Sequence, residues 1–295
     1  MLTKQQFSTE PYQYVSTDFG NIAYRATGSG PAAVFVHGVF LNGHLWDPLI
    51  ERLAGIRRCI AVDILAHGAT DARSDQDLSF DAQAAMLAAF CDAMELDRVD
   101  VIANDSGGGI AQIFAARHPE RIRSLVLTDC DTHDNWPPKQ AEPLHKLAKE
   151  GGVGPVGRRM LEDVTFARAS FAVGFEHPDR LSAEDFRTWL DPLFRTPAST
   201  RNLERFIASF DNRQTVVIEP LLRKLQAPTL IVWGTSDVFF PVKWAYWLRG
   251  TIPGARDVIE LEGAKLFFPW ERPDEFATAL RNFWREQEQP HAALR

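Results

Sequence analysis

Two kinds of hydrophobic pattern alternate along most of the chain. Short apolar runs such as AAVFV (32–36) and CIAV (59–62) are bounded by polar or Gly-containing turns, which is typical of strands buried on both faces. Between such runs apolar residues recur at helical spacing, as in the Ala-, Leu- and Met-rich stretch 80–96. The alternation predicts an α/β fold with a mostly parallel sheet covered by helices on both faces.

The beginning and the middle of the chain depart from this rhythm. YQYVST and NIAYRAT flank a DFG turn and predict an antiparallel hairpin at the start. From about 132 to 225 helical periodicity dominates, and the strand–helix alternation resumes at TLIVWG. We therefore predict a core domain formed by 1–131 and 226–295, with an inserted helical cap, or lid, at 132–225.

Composition narrows the functional class. Of the 295 residues 45% are hydrophobic and 24% charged, which is ordinary for a globular enzyme. A net charge of −7 argues against a nucleic-acid partner, because phosphate binding needs clustered Lys and Arg. The apolar runs are too short for a membrane span, and the N-terminus lacks a continuous apolar segment, so we expect neither a membrane partner nor a secretion signal. Three irregularly spaced cysteines favour free thiols and a cytoplasmic location.

The sharpest chemical signal is VIANDSGGGIAQ (101–112). It places a turn of small residues between a predicted strand and a predicted helix, which is the arrangement of a nucleophile elbow. The turn needs small residues because its backbone is strained and the helix packs closely. In one register Asp105 is the elbow residue, and in the other Ser106 takes that place.

The continuation DSGGGIAQIFAARHPERI favours Asp105, and over nearly its whole length the chain resembles the α/β-hydrolase fold superfamily. With an aspartate at the elbow, it resembles the haloalkane dehalogenase and epoxide hydrolase branch more than the serine esterases. The resemblance implies that Asp105 is the nucleophile and that Asp237 is the acid after the strand that follows the cap. It also implies an oxyanion hole formed by the backbone N–H groups of Val39 and Ser106.

One position departs from this resemblance. Relatives carry the catalytic histidine in a phrase like G-A-G-H-F before E-R-P, whereas this chain reads GAKLFFPWERP. Alignment of the flanking letters places Leu266 where the histidine belongs. An aspartate carboxylate can attack a substrate carbon unaided, but hydrolysis of the resulting ester needs water activated by a base, usually histidine. The sequence therefore predicts a first step without the usual means of completing the second.

Another residue could supply that base. His133 is the first candidate, because it follows the strand after the elbow, at the sheet edge where α/β folds gather their active-site groups. Asp131 and Asp134 stand beside it and could raise its pKa. His44 and Lys265 are weaker candidates. The alternative for His133 is a partly exposed loop histidine without a catalytic role.

A small hydrophobic molecule is the expected substrate, because the predicted cap and the catalytic loops are rich in aromatic residues. The candidate substrate-binding residues are His37, Trp136, Phe240, Leu266 and Phe267. We expect no cofactor, since the sequence contains no phosphate loop, no dinucleotide motif and no metal-binding cluster.

Neither named activity has its full set of residues. Val39 and Ser106 replace the Asn and Trp that hold halide in dehalogenases, and Phe40 replaces the Pro of the H-G-x-P motif of epoxide hydrolases. Three functions therefore stay open. The first is an enzyme that uses Asp105 as nucleophile or as acid/base with an atypical or incomplete triad. The second is a serine hydrolase that uses Ser106, and the third is a non-hydrolytic catalyst or binding protein that keeps the pocket. The sequence also leaves open a homodimer.

Overall fold

A computed structural model describes residues 9–288, so the predicted absence of a secretion signal falls largely outside the described residues. Eight strands form one sheet in the order β1-β2-β4-β3-β5-β6-β7-β8. They are β1 (Gln13–Thr17), β2 (Gly20–Thr27), β3 (Ala32–Val36), β4 (Arg58–Val62), β5 (Val99–Asp105), β6 (Ile122–Cys130), β7 (Thr229–Gly234) and β8 (Ala255–Leu261).

The sheet is parallel except at one edge. β1 pairs with β2, and β2 with β4, in the antiparallel sense, whereas every pairing from β4 to β8 is parallel. The predicted hairpin and the mostly parallel sheet are confirmed. All residues of β3, β5 and β7 are buried, which explains why their sequences are apolar without alternation.

Helices cover both faces of the sheet and one of its edges. Those in the described range are α1 (Asp47–Leu53), α2 (Phe80–Ala93), α3 (Ser106–Arg117), α4 (Glu142–Lys149), α5 (Val153–Glu162), α6 (Val164–Phe171), α7 (Ala183–Phe194), α8 (Pro197–Ala208), α9 (Arg213–Val216), α10 (Glu219–Leu222), α11 (Lys243–Thr251), α12 (Phe268–Glu271) and α13 (Pro273–Glu288). None of these is long and apolar enough to cross a membrane.

Helices α4 to α10 lie between β6 and β7, within the stretch predicted as the cap. Two of them begin with side chains that cap the free backbone N–H groups of the first turn. Ser182 exchanges hydrogen bonds with Asp185 at the start of α7, and Thr196 does so with Ser199 at the start of α8. These capping side chains define where helices α7 and α8 begin.

The cap is fastened to the loop that follows β8. The backbone N–H of Phe267 donates to the carbonyl of Gly174 at 3.0 Å, and the Lys265 ammonium donates to the carbonyl of Ala172 at 2.8 Å. The Phe267 ring packs on that of Phe175, with centroids 4.8 Å apart. The segment that lacks the expected histidine therefore joins the cap to the core.

Candidate active site

Asp105 ends β5 in a strained conformation, with φ 55° and ψ −133°, and α3 begins at the next residue. Residues other than glycine seldom adopt a positive φ, so the surrounding structure must hold Asp105 in this conformation. Gly107 shows how tight the turn is, since an added Cβ would lie 2.4 Å from the carbonyl oxygens of Val36 and His37. The elbow therefore has the register in which Asp105, and not Ser106, stands at the turn.

Backbone donors surround one oxygen of this carboxyl group. Oδ2 of Asp105 accepts the N–H of Val39 at 2.9 Å, and the N–H of Ser106 also bonds to the carboxylate. The loop that carries Val39 approaches closely because Gly38 has no side chain: a Cβ there would lie 2.1 Å from Oδ2. The structure thus brings both residues of the predicted oxyanion hole to Asp105.

A cavity of about 210 Å³ lies between the core and the cap and has Asp105 in its wall. Its polar lining consists of Asp105, Ser106, Asp131, Gln140 and Ser170. The remaining lining is almost entirely apolar and includes Val39, Phe40, Leu144, Met160, Phe171, Phe210, Phe239, Phe240, Leu266 and Phe267. Such a space suits a small, largely apolar molecule with one or two polar atoms near the carboxyl groups.

Burial makes these carboxyl groups weak acids. Loss of solvent, opposed by the Val39 N–H and reinforced by the nearby Asp237, raises the pKa of Asp105 to about 7. Burial also raises the pKa of Asp237 to about 7. Burial and the charge of Asp105 raise the pKa of Asp131 well above its usual range. The raised pKa values place the titration of Asp105 and Asp237 near neutral pH.

Asp237 follows β7 as predicted, but it orients a loop and not a histidine. Its Oδ1 accepts the backbone N–H groups of Phe239 at 2.7 Å and Phe240 at 3.4 Å. Its Oδ2 is buried without a hydrogen-bond partner among the described residues. Because Phe239 and Phe240 line the cavity, Asp237 fixes part of the cavity wall.

Leu266 occupies the cavity wall at the position where relatives place the histidine. Its side chain is 4% exposed, and its carbonyl accepts the Asn104 amide at 3.0 Å. None of the histidines between residues 9 and 288 lines the cavity. The described part of the chain therefore offers Asp105 no imidazole base.

His133 lies elsewhere, contrary to the position that our prediction requires. Its backbone has φ 49°, and its Nε2 lies 3.0 Å from a carboxylate oxygen of Glu219 on α10. The ring packs against Trp247, with centroids 4.7 Å apart, and is not part of the cavity lining. In this conformation His133 is not placed to activate water at Asp105, because its Nε2 faces Glu219 and its Nδ1 faces Asp134.

Two of the predicted substrate-binding residues also lie outside the cavity, whereas Phe240, Leu266 and Phe267 line it. His37 is fully buried: its Nε2 accepts the N–H of Ile64 at 3.2 Å, and burial lowers its pKa to about 4. Trp136 is buried in a stack with Phe80, at a centroid distance of 3.9 Å. The packing of both side chains gives them structural roles.

The weaker base candidates are also committed to other partners. Nδ1 of His44 lies 2.7 Å from the Asp47 carboxylate, and Lys265 bonds to the cap.

Sequence reasoning noted Asp131 only as a neighbour of His133 and missed that it lines the cavity. Its position directly after β6, the strand that pairs with β5, could have indicated a place near Asp105. Within 9–288 no group of three or more His, Cys, Asp or Glu side chains could hold a metal ion.

Comparison with known proteins agrees with this fold. A family model described as alpha/beta hydrolase fold matches residues 31–272. The chain is 28% identical over 272 residues to haloalkane dehalogenase 2 of Mycobacterium tuberculosis, covering 88% of this chain and 90% of that protein. Among solved structures it is similar to an ancestral haloalkane dehalogenase, with a TM-score of 0.78, 23% identity and coverage of 93% and 98% of the two chains. A thermophilic esterase from Thermogutta terrifontis matches with a TM-score of 0.74, 22% identity and coverage of 95% and 100%.

Proposed function

The chain belongs to the α/β-hydrolase fold family, and we propose that it is an enzyme that attacks a small apolar substrate with the carboxylate of Asp105. The observation that carries the proposal is the setting of this side chain. It stands at the strained elbow, accepts the Val39 N–H with one oxygen and lies in the wall of an apolar cavity. Preorganised donors beside a nucleophile are what an acyl or alkyl transfer site requires.

The first chemical step needs no base. The ionised Asp105 attacks an electrophilic carbon, that carbon's bond to its leaving group breaks, and an ester forms on the enzyme. The carbonyl oxygen of this ester stays beside the N–H groups of Val39 and Ser106. Alkyl halides and epoxides of small apolar groups fit this step. An activated ester attacked at its acyl carbon would instead lose its alkoxide and leave a mixed anhydride on Asp105.

The second step, hydrolysis of the ester, distinguishes this protein from a complete triad enzyme. Leu266 lines the cavity where an imidazole would otherwise activate water. Loss of one member of a catalytic triad can slow turnover by several orders of magnitude, because the members act as a unit. We therefore expect a long-lived ester with substrates whose first step succeeds.

Intact-mass measurement after incubation with alkyl halides, epoxides and activated esters tests the proposal. We expect an added mass on the wild-type protein that is absent from Asp105→Ala, with the modified peptide containing Asp105. Asp134→Asn is the matched control, because Asp134 is exposed and outside the cavity. An unmodified wild-type protein that also releases no product would contradict the proposal and favour a ligand-binding or non-hydrolytic role.

A serine hydrolase is the second candidate, because the Ser106 hydroxyl lies in the same cavity and bonds to the Asp131 carboxyl group. A fluorophosphonate probe distinguishes the two. Labelling that disappears in Ser106→Ala but persists in Asp105→Ala would identify Ser106 as the nucleophile. We expect no labelling, since no described histidine lies in the cavity to activate the hydroxyl.

A further inference from the structure

Asp131 is a second carboxyl group in the same cavity as Asp105. It directly follows β6, which pairs in parallel with β5, and Asp105 is in register with Cys130. The backbone N–H of Asp131 donates to the carbonyl oxygen of Asp105 at 3.4 Å. Both side chains line the cavity, so a bound molecule can meet two carboxyl groups from neighbouring strand ends.

The fold holds Asp131 in place from several sides. Its carbonyl oxygen accepts the Gln112 side-chain amide at 2.8 Å. Its Cβ packs against Gly109 in the first turn of α3, where an added Cβ would lie 3.1 Å away. The Ser106 hydroxyl bonds to its carboxyl group. The side chain is therefore positioned by contacts on both its backbone and its head group.

One oxygen of this carboxyl group is unused by the protein. Asp131 is 1% exposed, and its Oδ1 has no hydrogen-bond partner among the described residues. A buried polar atom without a partner is costly, so its presence beside a cavity points to a ligand. No lysine or arginine lines the cavity to balance two negative charges. Burial and the nearby charge of Asp105 raise the pKa of Asp131, which favours the protonated form of its carboxyl group.

We propose that Asp131 is a catalytic acid and base that works with Asp105, and that the preferred substrates have oxygen as the leaving atom. This inference rests on the proposed function of Asp105. A halide leaves as an anion without a proton, whereas an alkoxide leaves far more readily when an acid protonates it. A protonated Asp131 beside the nucleophile supplies that proton to an epoxide or ester oxygen.

The protons taken up and released balance over one catalytic cycle. With an epoxide, ionised Asp105 attacks carbon, the carbon–oxygen bond breaks and the oxygen takes the proton of Asp131. Water then attacks the carbonyl carbon of the Asp105 ester and gives a proton to ionised Asp131. As the intermediate collapses, Asp131 returns this proton to the departing alkoxide, leaving a diol and a protonated Asp105. Transfer of that proton to Asp131 restores the starting state, and one water is consumed. Because a carboxylate is a weaker base than an imidazole, this second half of the cycle is slow and the ester on Asp105 is long-lived.

The test compares 1,2-epoxyhexane with 1-bromohexane, which have the same carbon number and differ in the leaving atom. Rates of product and adduct formation are measured for wild type, Asp131→Asn and Asp105→Ala, with Asp134→Asn as control. We expect Asp131→Asn to open the epoxide at least about 100-fold more slowly than wild type, the usual scale of general acid catalysis. The rate at which 1-bromohexane alkylates Asp105 in this variant should stay within about threefold of wild type, because the bromide ion leaves without a proton.

Each other outcome overturns a specific claim. Equal rates of epoxide opening in wild type and Asp131→Asn, or equal losses with both compounds, would overturn the role of Asp131 and leave Asp105 intact. A wild-type protein that reacts through Asp105 only with the bromide would do the same. No Asp105-dependent reaction with either compound would defeat the proposed function itself. Asp131→Leu, which removes the carboxyl group without adding a buried amide, serves if thermal unfolding shows that the Asn variant is not folded.

Discussion

The side-chain amide of Asn104 donates a hydrogen bond to the carbonyl oxygen of Leu266 at 3.0 Å. The bond joins the residue before the elbow to the loop in which relatives carry their histidine. Because this loop is held to β5 and, through Phe267, to the cap, its backbone is fixed whatever side chain stands at 266. The missing base is therefore a difference of side chain on a loop that is already in place.

Leu266→His should supply that base. An imidazole in the wall shared with Asp105 can activate water, and general bases contribute about 10² to 10⁴ in rate. We expect the ester on Asp105 to disappear at least about tenfold faster than in wild type, allowing for imperfect geometry. The measurement is the decay of the adduct mass after removal of excess reagent.

Leu266→Gln is the control for that experiment, because it adds a polar group of similar length that cannot act as a base near neutral pH. Equal decay rates in the His and Gln variants would mean that polarity alone admits water. An unchanged half-life in both would contradict the placement of residue 266 beside the reacting ester.

Asp105 should destabilise the folded protein at alkaline pH. Its pKa is about 7 in the folded state against an ordinary value of 3.8, so the unfolded chain releases this proton at lower pH. The resulting loss of stability begins above about pH 4, grows until about pH 7 and is then constant. Asp105→Asn should raise the free energy of unfolding at pH 8 by up to about 4 kcal/mol and by far less at pH 5.

Urea unfolding of wild type and Asp105→Asn at the two pH values measures this difference. Asp134→Asn, at an exposed carboxylate outside the cavity, is measured at the same two pH values as the control for a surface substitution. An equal gain in the free energy of unfolding at pH 5 and pH 8 would mean that the substitution acts through packing and not through the buried charge.

Glu271 should control how firmly the cap closes. Its carboxylate accepts the backbone N–H groups of Glu176 at 2.7 Å and His177 at 2.8 Å, and Arg272 forms an ion pair with the Glu176 side chain. We expect Glu271→Ala to lower the free energy of unfolding by about 1 to 3 kcal/mol, the range for charge-assisted hydrogen bonds. Hydrogen exchange should increase around 172–177.

The neighbouring Glu275→Ala provides the comparison. Glu275 is 56% exposed on its side chain, and its nearest oxygen lies 3.8 Å from Arg272, so its loss should cost less than about 0.5 kcal/mol. Similar exchange in both variants would show that the contacts of Glu271 do not hold the cap.

His133→Ala should leave the reaction at Asp105 unchanged. The imidazole pairs with Glu219 and lies outside the cavity, so adduct formation and decay should stay within about twofold of wild type. A tenfold slower decay in this variant would restore His133 as the base and imply a conformation in which it turns toward Asp105.

The local pattern of the sequence determined the strands, the helices and the elbow. A strand buried on both faces is an apolar run without alternation, as in β3, and the strand predicted before the elbow is observed as β5. The elbow could be recognised in the sequence because its steric constraints act on neighbouring residues: Asp105 has a positive φ, and Gly107 packs against β3 and the residue after it. Such constraints act over a few residues and leave a direct trace in the amino-acid order.

Only the tertiary structure decided which side chains share the cavity. Asp131 and His133 stand two residues apart after the same strand, yet Asp131 meets Asp105 and His133 meets Glu219. Side-chain direction at a strand end depends on backbone angles and on packing partners far away in the sequence. The same holds for Leu266, whose place beside Asp105 depends on a hydrogen bond across 162 residues of chain. Spacing along the chain predicts the element on which a residue stands, and packing between elements determines which residues it meets.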